Sequence, residues 1–561
     1  MTFQKTLAVA GIAGLATSAT AEQPLSMIRF ASVQTRSTEE WKGTLKAFRE
    51  HPGCCDDVWF STGESFPSLD WHRKHLKTLA PAAEDLRRLG IGVSLQFEAT
   101  IGHGDDFPTE AEKRIFDKPW TGWTCSDGTE CRYCSCPRQP AFLERLRAVS
   151  AIYAAIRPAV VWIDDDLRTY NHYPSVRETG CWCARCIADF SGEDKRTWTR
   201  ETLAAAVRDD EAVRSRWLDF SSRSCGEIAA VIARAFLKVS PETRMGFQCG
   251  YDVDRDHEDR VIIRALAAAS GKKVSVRMGG GPYYDDGPHA QLLKSQWLCE
   301  ARKRLALEDV TDNWCNEVET YPRAYGSRSA RSIALESFSA LAWGMDSVSL
   351  FVLDRRSETD AFYSDYLLGP LAEMNRFLHG YRAACRGTTP AGFECPMPET
   401  DPGRMRFLCG IPILHGPGVS WGVISTEKQA IGGLGTGWGE VRDDLLPDCQ
   451  KTPSAKIQAV RDHFAASASA VLKSPFVGHV IPRVSAGGEL RTVGLIGTRL
   501  DPQRNVCVWV RTDKRKAVWR EFGEKPVELA VEGGSDGFAS ITIPALGAWN
   551  AGYLEFRGSC R

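Results

Sequence analysis

Between residues 27 and 385 the sequence repeats one unit eight times: a short apolar run rich in β-branched residues, then a stretch with helical hydrophobic period. The strand-like runs lie at 27–33, 56–62, 92–99, 159–166, 243–251, 272–280, 306–319 and 346–354. The helical stretches lie at 38–51, 68–90, 140–156, 210–239, 258–270, 287–305, 329–344 and 365–385. Eight consecutive β-then-α units predict an α/β fold of the (β/α)8, or TIM-barrel, type. A doubly wound sheet needs no eighth repeat, and no glycine-rich phosphate loop follows the first run.

The remainder of the 561 residues divides by composition. Lys5, the apolar run 6–16 and the small-residue site Ala19-Thr20-Ala21 read as a secretory signal peptide over 1–21. No Cys follows the apolar run, which argues against a lipoprotein, and no other segment is long and apolar enough to span a bilayer. The expectation is a secreted or periplasmic protein with its barrel over 22–390. A Pro-, Gly- and Thr-rich stretch at 386–403 leads into a middle segment, 391–475, and strand after strand over 476–561 predicts a small all-β, sandwich-like domain. Formal net charge is -1, which leaves no electrostatic footprint for nucleic acid. Oligomeric state is not fixed by any of this, and a homo-oligomer is compatible with it.

In a (β/α)8 barrel the active site forms at the C-terminal ends of the strands. Those ends are acidic. The third carries Gln96 and Glu98, and the fourth Asp164, Asp165 and Asp166. The sixth runs into "GGGPYYDDG" with Asp285 and Asp286, the seventh carries Glu317 and Glu319, and the eighth Asp354. Strand alternation points Asp164 and Asp166 one way, and likewise Glu317 and Glu319. Glycoside hydrolysis requires two carboxyl groups across the scissile bond, one to protonate the leaving oxygen and one to attack or to activate water. Three adjacent Asp also supply a means of raising one pKa, which a general acid needs. Pairing with Arg168 or Arg323, or binding of sugar hydroxyls, are the other uses of such acids.

Nineteen Cys are present, seven of them in two short stretches. "GCWCARC" sets Cys181, Cys183 and Cys186 at C-x-C-x2-C spacing, and "CSDGTECRYCSC" upstream holds Cys125, Cys131, Cys134 and Cys136. Three thiolates in six residues need one more ligand to complete a tetrahedral zinc site, and an upstream Cys can supply it. Disulfides are the alternative in an exported chain, but C-x-C bridges are strained. A zinc held by four thiolates has no open position and is structural; no organic cofactor is indicated.

These motifs, in this order, resemble glycoside hydrolase family 42, the barrel β-galactosidases of clan A, over about residues 90–355. The resemblance implies a structural zinc on the C-x-C-x2-C stretch with Cys136, in "CPRQP", as fourth ligand. It lays the family's Asp-Asn-Glu on Asp164-Asp165-Asp166, so that Asp166 takes the acid/base position. It sets the nucleophile in "CNEVETYP", on Glu319 by spacing and Glu317 second, and implies a retaining mechanism. Asp165 joins the catalytic group, while Asp164, Arg168, Glu98, Trp314, Tyr283 and Asp285 are expected to bind substrate, with Tyr284 beside them. The chain departs from the family where Asp-Asp replaces Asn-Glu, since Asp is one methylene shorter and alters the distance across the site. Its middle segment is also short for the family.

The expected function is therefore an exported glycosidase acting on a β-galactoside or related glycan. Two other readings stay open: a carbohydrate-binding protein on a hydrolase-like barrel, and a Mg²⁺-dependent lyase or isomerase with Asp164 and Asp166 as oxygen ligands.

Overall fold

The computed structural model describes residues 23–30, 35, 37–63, 66–98, 100–103, 118–171, 176, 178–250, 253–281, 283, 288–320, 328–353, 361–391, 469–472, 476, 478–534 and 537–556. The expected leader at 1–21, Tyr284, Asp285, Asp286, Arg323, Asp354 and most of the middle segment lie outside them.

Eight parallel strands close into a barrel in sequence order: Ser26–Arg29, Asp57–Ser61, Gly92–Phe97, Val160–Ile163, Arg244–Cys249, Val274–Met278, Thr311–Glu319 and Ser347–Phe351. Seven fall within the expected runs and the first begins one residue earlier, at Ser26, which pairs with Val348 of the eighth. This is the (β/α)8 barrel that the eightfold repeat predicts. Local signals explain the helix starts: Ser37 and Ser68 cap Thr38–Glu50 and Leu69–Arg88, and Asp210 caps the 29-residue helix Glu211–Val239.

Side chains alternate along each strand, so every second residue enters the barrel. The middle of the interior is apolar: Met27, Trp59, Val160, Trp162 and Cys315 form their own buried cluster. Trp59 stacks on Trp162 with ring centroids 4.4 Å apart. Room for that pair comes from Gly246, where a Cβ would lie 2.6 Å from the Trp162 ring. The layer above, toward the strand C-termini, is wholly different, and it builds the site.

Two insertions were not legible as repeat units. A hairpin, Gly122–Thr124 with Glu130–Ser135, follows the third strand, and two helices, Ala184–Asp194 and Arg200–Asp209, follow the fourth. Beyond the barrel, antiparallel sheets of six and four strands face each other around Val493, Leu495, Val508, Trp519, Ile541 and Ile543. The six-stranded sheet recruits Thr388–Pro390, and the four-stranded sheet Ala470–Leu472. This β domain sits against the barrel helices Ala330–Trp343 and Ala361–Ala384. Tyr553 packs on Phe377 and Tyr381, and Arg483 donates to the carbonyls of Leu341 and Ala342 at the helix end. No described helix is long and apolar enough to cross a membrane.

Candidate active site and cysteine cluster

Six inward side chains from six strands join into a closed circuit at the barrel mouth. Arg29 donates from Nε to Gln96 Oε1 at 3.0 Å, and Gln96 Nε2 donates to Asp164 Oδ2 at 2.5 Å. Gln248 Nε2 reaches the same Asp164 oxygen at 3.4 Å, and its Oε1 accepts from Arg277 Nε at 3.1 Å. Arg277 and Arg29 then meet on Glu317 Oε1, at 3.0 and 2.8 Å. The circuit has a polarity. Both guanidiniums donate in two directions, Glu317 accepts from both, and each glutamine turns its carbonyl to an arginine and its amide to Asp164. The other Glu317 oxygen accepts from Tyr283 OH at 2.9 Å and from the Gly280 amide at 3.2 Å. Phe351, from the eighth strand, lies 4.6 Å beneath the Arg29 guanidinium.

Burying two guanidiniums requires matching anions. Desolvation disfavours the Glu317 anion, but Arg277 and Arg29 outweigh it and hold its carboxyl below the usual range. Desolvation also opposes ionisation of Asp165, and Arg277, Arg168, Arg255 and Arg29 together overcome it, so this carboxyl too is held low. Those two anions balance Arg29 and Arg277. Asp164 is left in excess: burial, then Asp165, Asp166 and Glu98, push its carboxyl well above the ordinary carboxylate range. Tyr283 remains a donor, because burial and the charges of Glu317 and Glu319 push its hydroxyl up. Asp164 and Glu317 are thus shifted in opposite directions, in the sense that separates an acid from an anion.

Around this circuit lies a second layer. Asp166 contacts His103 Nδ1 at 2.9 Å and Arg168 Nη2 at 3.0 Å. Burial works against a charged His103, but the hydrogen bond and charge of Asp166 prevail and raise its pKa. Glu98 meets Ser61 Oγ. Glu319 is buried at the end of its strand, its carbonyl bonded by Arg328. The structure therefore brings together Asp164, Asp165, Asp166, Arg168, Glu98, Tyr283, Glu317 and Glu319.

Trp314 is not among them. It alternates with Asn313 and Cys315, so it faces outward, buried under Arg302 at 5.4 Å between barrel and helices. Asp285 lies outside the described residues. Sequence reasoning missed Arg29, Gln248, Arg277 and His103. The first three carried a signal: each is a large polar residue at an inward position of a mostly apolar strand, in "MIRF", "GFQC" and "VSVRM".

The hairpin and the strand-4 insertion meet at Cys136, Cys181, Cys183 and Cys186. All four are buried and unbridged, and their sulfurs lie within 4.8 Å of one another. Cys136 Sγ is 3.5 Å from both Cys183 and Cys186 Sγ. A disulfide needs about 2.05 Å, whereas a tetrahedron with ~2.3 Å zinc–sulfur arms has edges of about 3.8 Å. The donor set fits zinc. Hydrogen bonding reinforces it, since the Thr124 amide points at Cys181 Sγ, 3.5 Å away.

No protein-family model matches the chain, and no curated protein sequence does. Solved structures do match. The β-galactosidase of Bacillus circulans sp. alkalophilus aligns over 95% of this chain and 99% of its own, at TM-score 0.57 and 11% identity. The β-galactosidase of Rahnella sp. R3 aligns over 94% and 99%, at TM-score 0.55 and 11% identity. A catalytic mutant of a GH42 β-galactosidase from G. stearothermophilus aligns over 95% and 98%, at TM-score 0.57 and 9% identity. At such identities the likeness establishes the fold: a (β/α)8 barrel with a C-terminal β domain, in the arrangement seen in these glycosidases.

Proposed function

We propose that the protein is a glycoside hydrolase whose strand-4 acids supply the proton and whose strand-7 acids supply the anion. The observation that carries this is the closed circuit holding Asp164 and Glu317 at the barrel mouth, where burial and neighbouring acids push the Asp164 carboxyl up and two arginines hold the Glu317 carboxyl down. The charge balance favours Asp164 as acid/base and Glu317 as nucleophile. Each lies one pleat deeper than the residue that the family resemblance implies, Asp166 and Glu319. On this reading Asp166 with His103 and Arg168, and Glu319, flank the sugar. The substrate class is a carbohydrate, a β-galactoside or related glycan, processed with retention. We further propose a structural zinc on Cys136, Cys181, Cys183 and Cys186, and export through the leader 1–21.

The test is turnover of a panel of aryl glycosides, β-galactosides included, by the full chain and by Asp164→Asn, Asp166→Asn, Glu317→Gln and Glu319→Gln. Loss of about 10³-fold or more on one strand-4 and one strand-7 substitution identifies the pair. Glycan binding without turnover of any substrate would instead make the mouth a lectin-like site.

A further inference from the structure

The strand-7 acids are themselves held from behind, by charges that never face the barrel mouth. Glu336 lies in the helix Ala330–Trp343 and is completely buried. Its two oxygens pair with two cations that are equally buried: Lys294 Nζ at 2.5 Å and Arg328 Nη2. Each cation reaches onward to the backbone of the seventh strand. Lys294 Nζ donates to the Glu317 carbonyl at 2.8 Å, and Arg328 Nη1 donates to the Glu319 carbonyl at 2.8 Å. Lys294 also lies 5.2 Å from the centre of the Tyr283 ring, whose hydroxyl holds the Glu317 carboxylate. Arg328 is steadied by Gln291 Oε1 at 3.1 Å and Ser332 Oγ at 3.3 Å.

A buried carboxylate with two buried cations is a costly way to join two helices, since apolar residues of similar volume serve stability as well or better. What apolar residues cannot do is fix the height of two chosen carbonyls. We infer that Glu336 is a positioning residue: through Lys294 and Arg328 it sets the register of Glu317 and Glu319 against the strand-4 acids. This rests on the glycosidase reading above. The carbonyl at 317 belongs to the residue whose carboxylate closes the mouth circuit, so any slack there moves the reacting oxygen directly.

The experiment uses the full chain with Glu336→Gln and Arg328→Lys, the second of which keeps the charge beside Glu336 but loses the planar fork that spans four acceptors. Steady-state kinetics on whichever aryl glycoside the wild type cleaves are combined with amide hydrogen exchange of the 311–320 segment. We expect kcat to fall about 10- to 100-fold with KM within about twofold, and exchange at 317–320 to rise while the helix Glu211–Val239 stays protected. A folded variant with wild-type kcat, or a loss confined to KM, overturns the inference. If Glu336→Gln does not fold, Arg328→Lys decides alone. If the wild type cleaves no glycoside, the hydrolase reading falls by itself, and unchanged exchange at 317–320 in Arg328→Lys then overturns the clamp.

Discussion

Asp164 and Glu317 are linked twice around the barrel mouth, once through Gln96 and Arg29 and once through Gln248 and Arg277. A doubly linked pair cannot lose one member quietly, because both arcs then end on an unmatched buried partner. The turnover profile should be bell-shaped in pH, with the acid limb set by Glu317 and the alkaline limb by Asp164.

Tyr283→Phe removes one donor from Glu317. Its carboxyl, held low in the folded protein, should rise, so the anion is lost at a higher pH on the way down. The acid limb of the kcat/KM profile is expected to move to higher pH while the alkaline limb stays. A profile with both limbs unmoved would detach Tyr283 from the reaction.

Gly279 borders the Arg277–Glu317 pair, and an added Cβ would collide with the ends of both side chains. Both are buried, so neither can swing into water. Gly279→Ala should cost about 3–5 kcal/mol, the range for a broken buried ion pair, read from denaturant unfolding. A loss below 1 kcal/mol means that the pair re-forms around the methyl.

At the opposite end of the barrel, Asp57 is buried with one oxygen bonded by Ser94 and the other without a partner among the described residues. Burial pushes its carboxyl up to about 8. The folded chain therefore keeps a proton that the unfolded chain releases near pH 4. This group's contribution is fully present below that pH and is lost as pH rises to about 8, by on the order of 1.4 kcal/mol per pH unit at most. Asp57→Asn should raise Tm increasingly from pH 5 to pH 8 and level off above. Equal gains at pH 4 and pH 8 would contradict it.

Metal analysis of the purified full chain should return one zinc per molecule, and Cys183→Ser should lose it together with several degrees of Tm. Because four thiolates leave no open position, removing the zinc should lower stability without altering the pH limbs of the protein that stays folded. Recovery of turnover by Mg²⁺ alone would favour the Mg²⁺-dependent reading.

Much of the fold was legible because its signals are local. The eight strands are compact β-branched runs, and helices such as Thr38–Glu50 carry both the period and the cap in sequence. The acids at 164–166 and at 317 and 319 stood out because carboxylates at barrel strand ends have few structural uses. The hairpin Gly122–Thr124 with Glu130–Ser135 was hidden, since its Cys and Gly content reads as loop. Arg29 and Arg277 were hidden differently. A single Arg in an apolar strand ordinarily marks an edge or an outward position, and only closure of the barrel turns both toward one carboxylate. Trp314 was misjudged for the same reason, because proximity to the strand end says nothing of the face. Glu336 sits in "ALESFSALAW", where nothing local separates a buried charge from a solvent-facing one.

The helix Ala330–Trp343 has no water-facing side from Ser332 to Trp343, because barrel and β domain enclose it together. It leaves the ribosome well before Asn550–Phe556, whose Tyr553 packs on Phe377 and Tyr381 against it. The eighth strand can therefore close the barrel while one flank is still bare, and residues such as His479, Arg483 and Tyr553 cover it only later in synthesis. The β domain is in that sense an assembly factor carried in the same chain, and a barrel cut off near residue 385 should reach the test tube as aggregate.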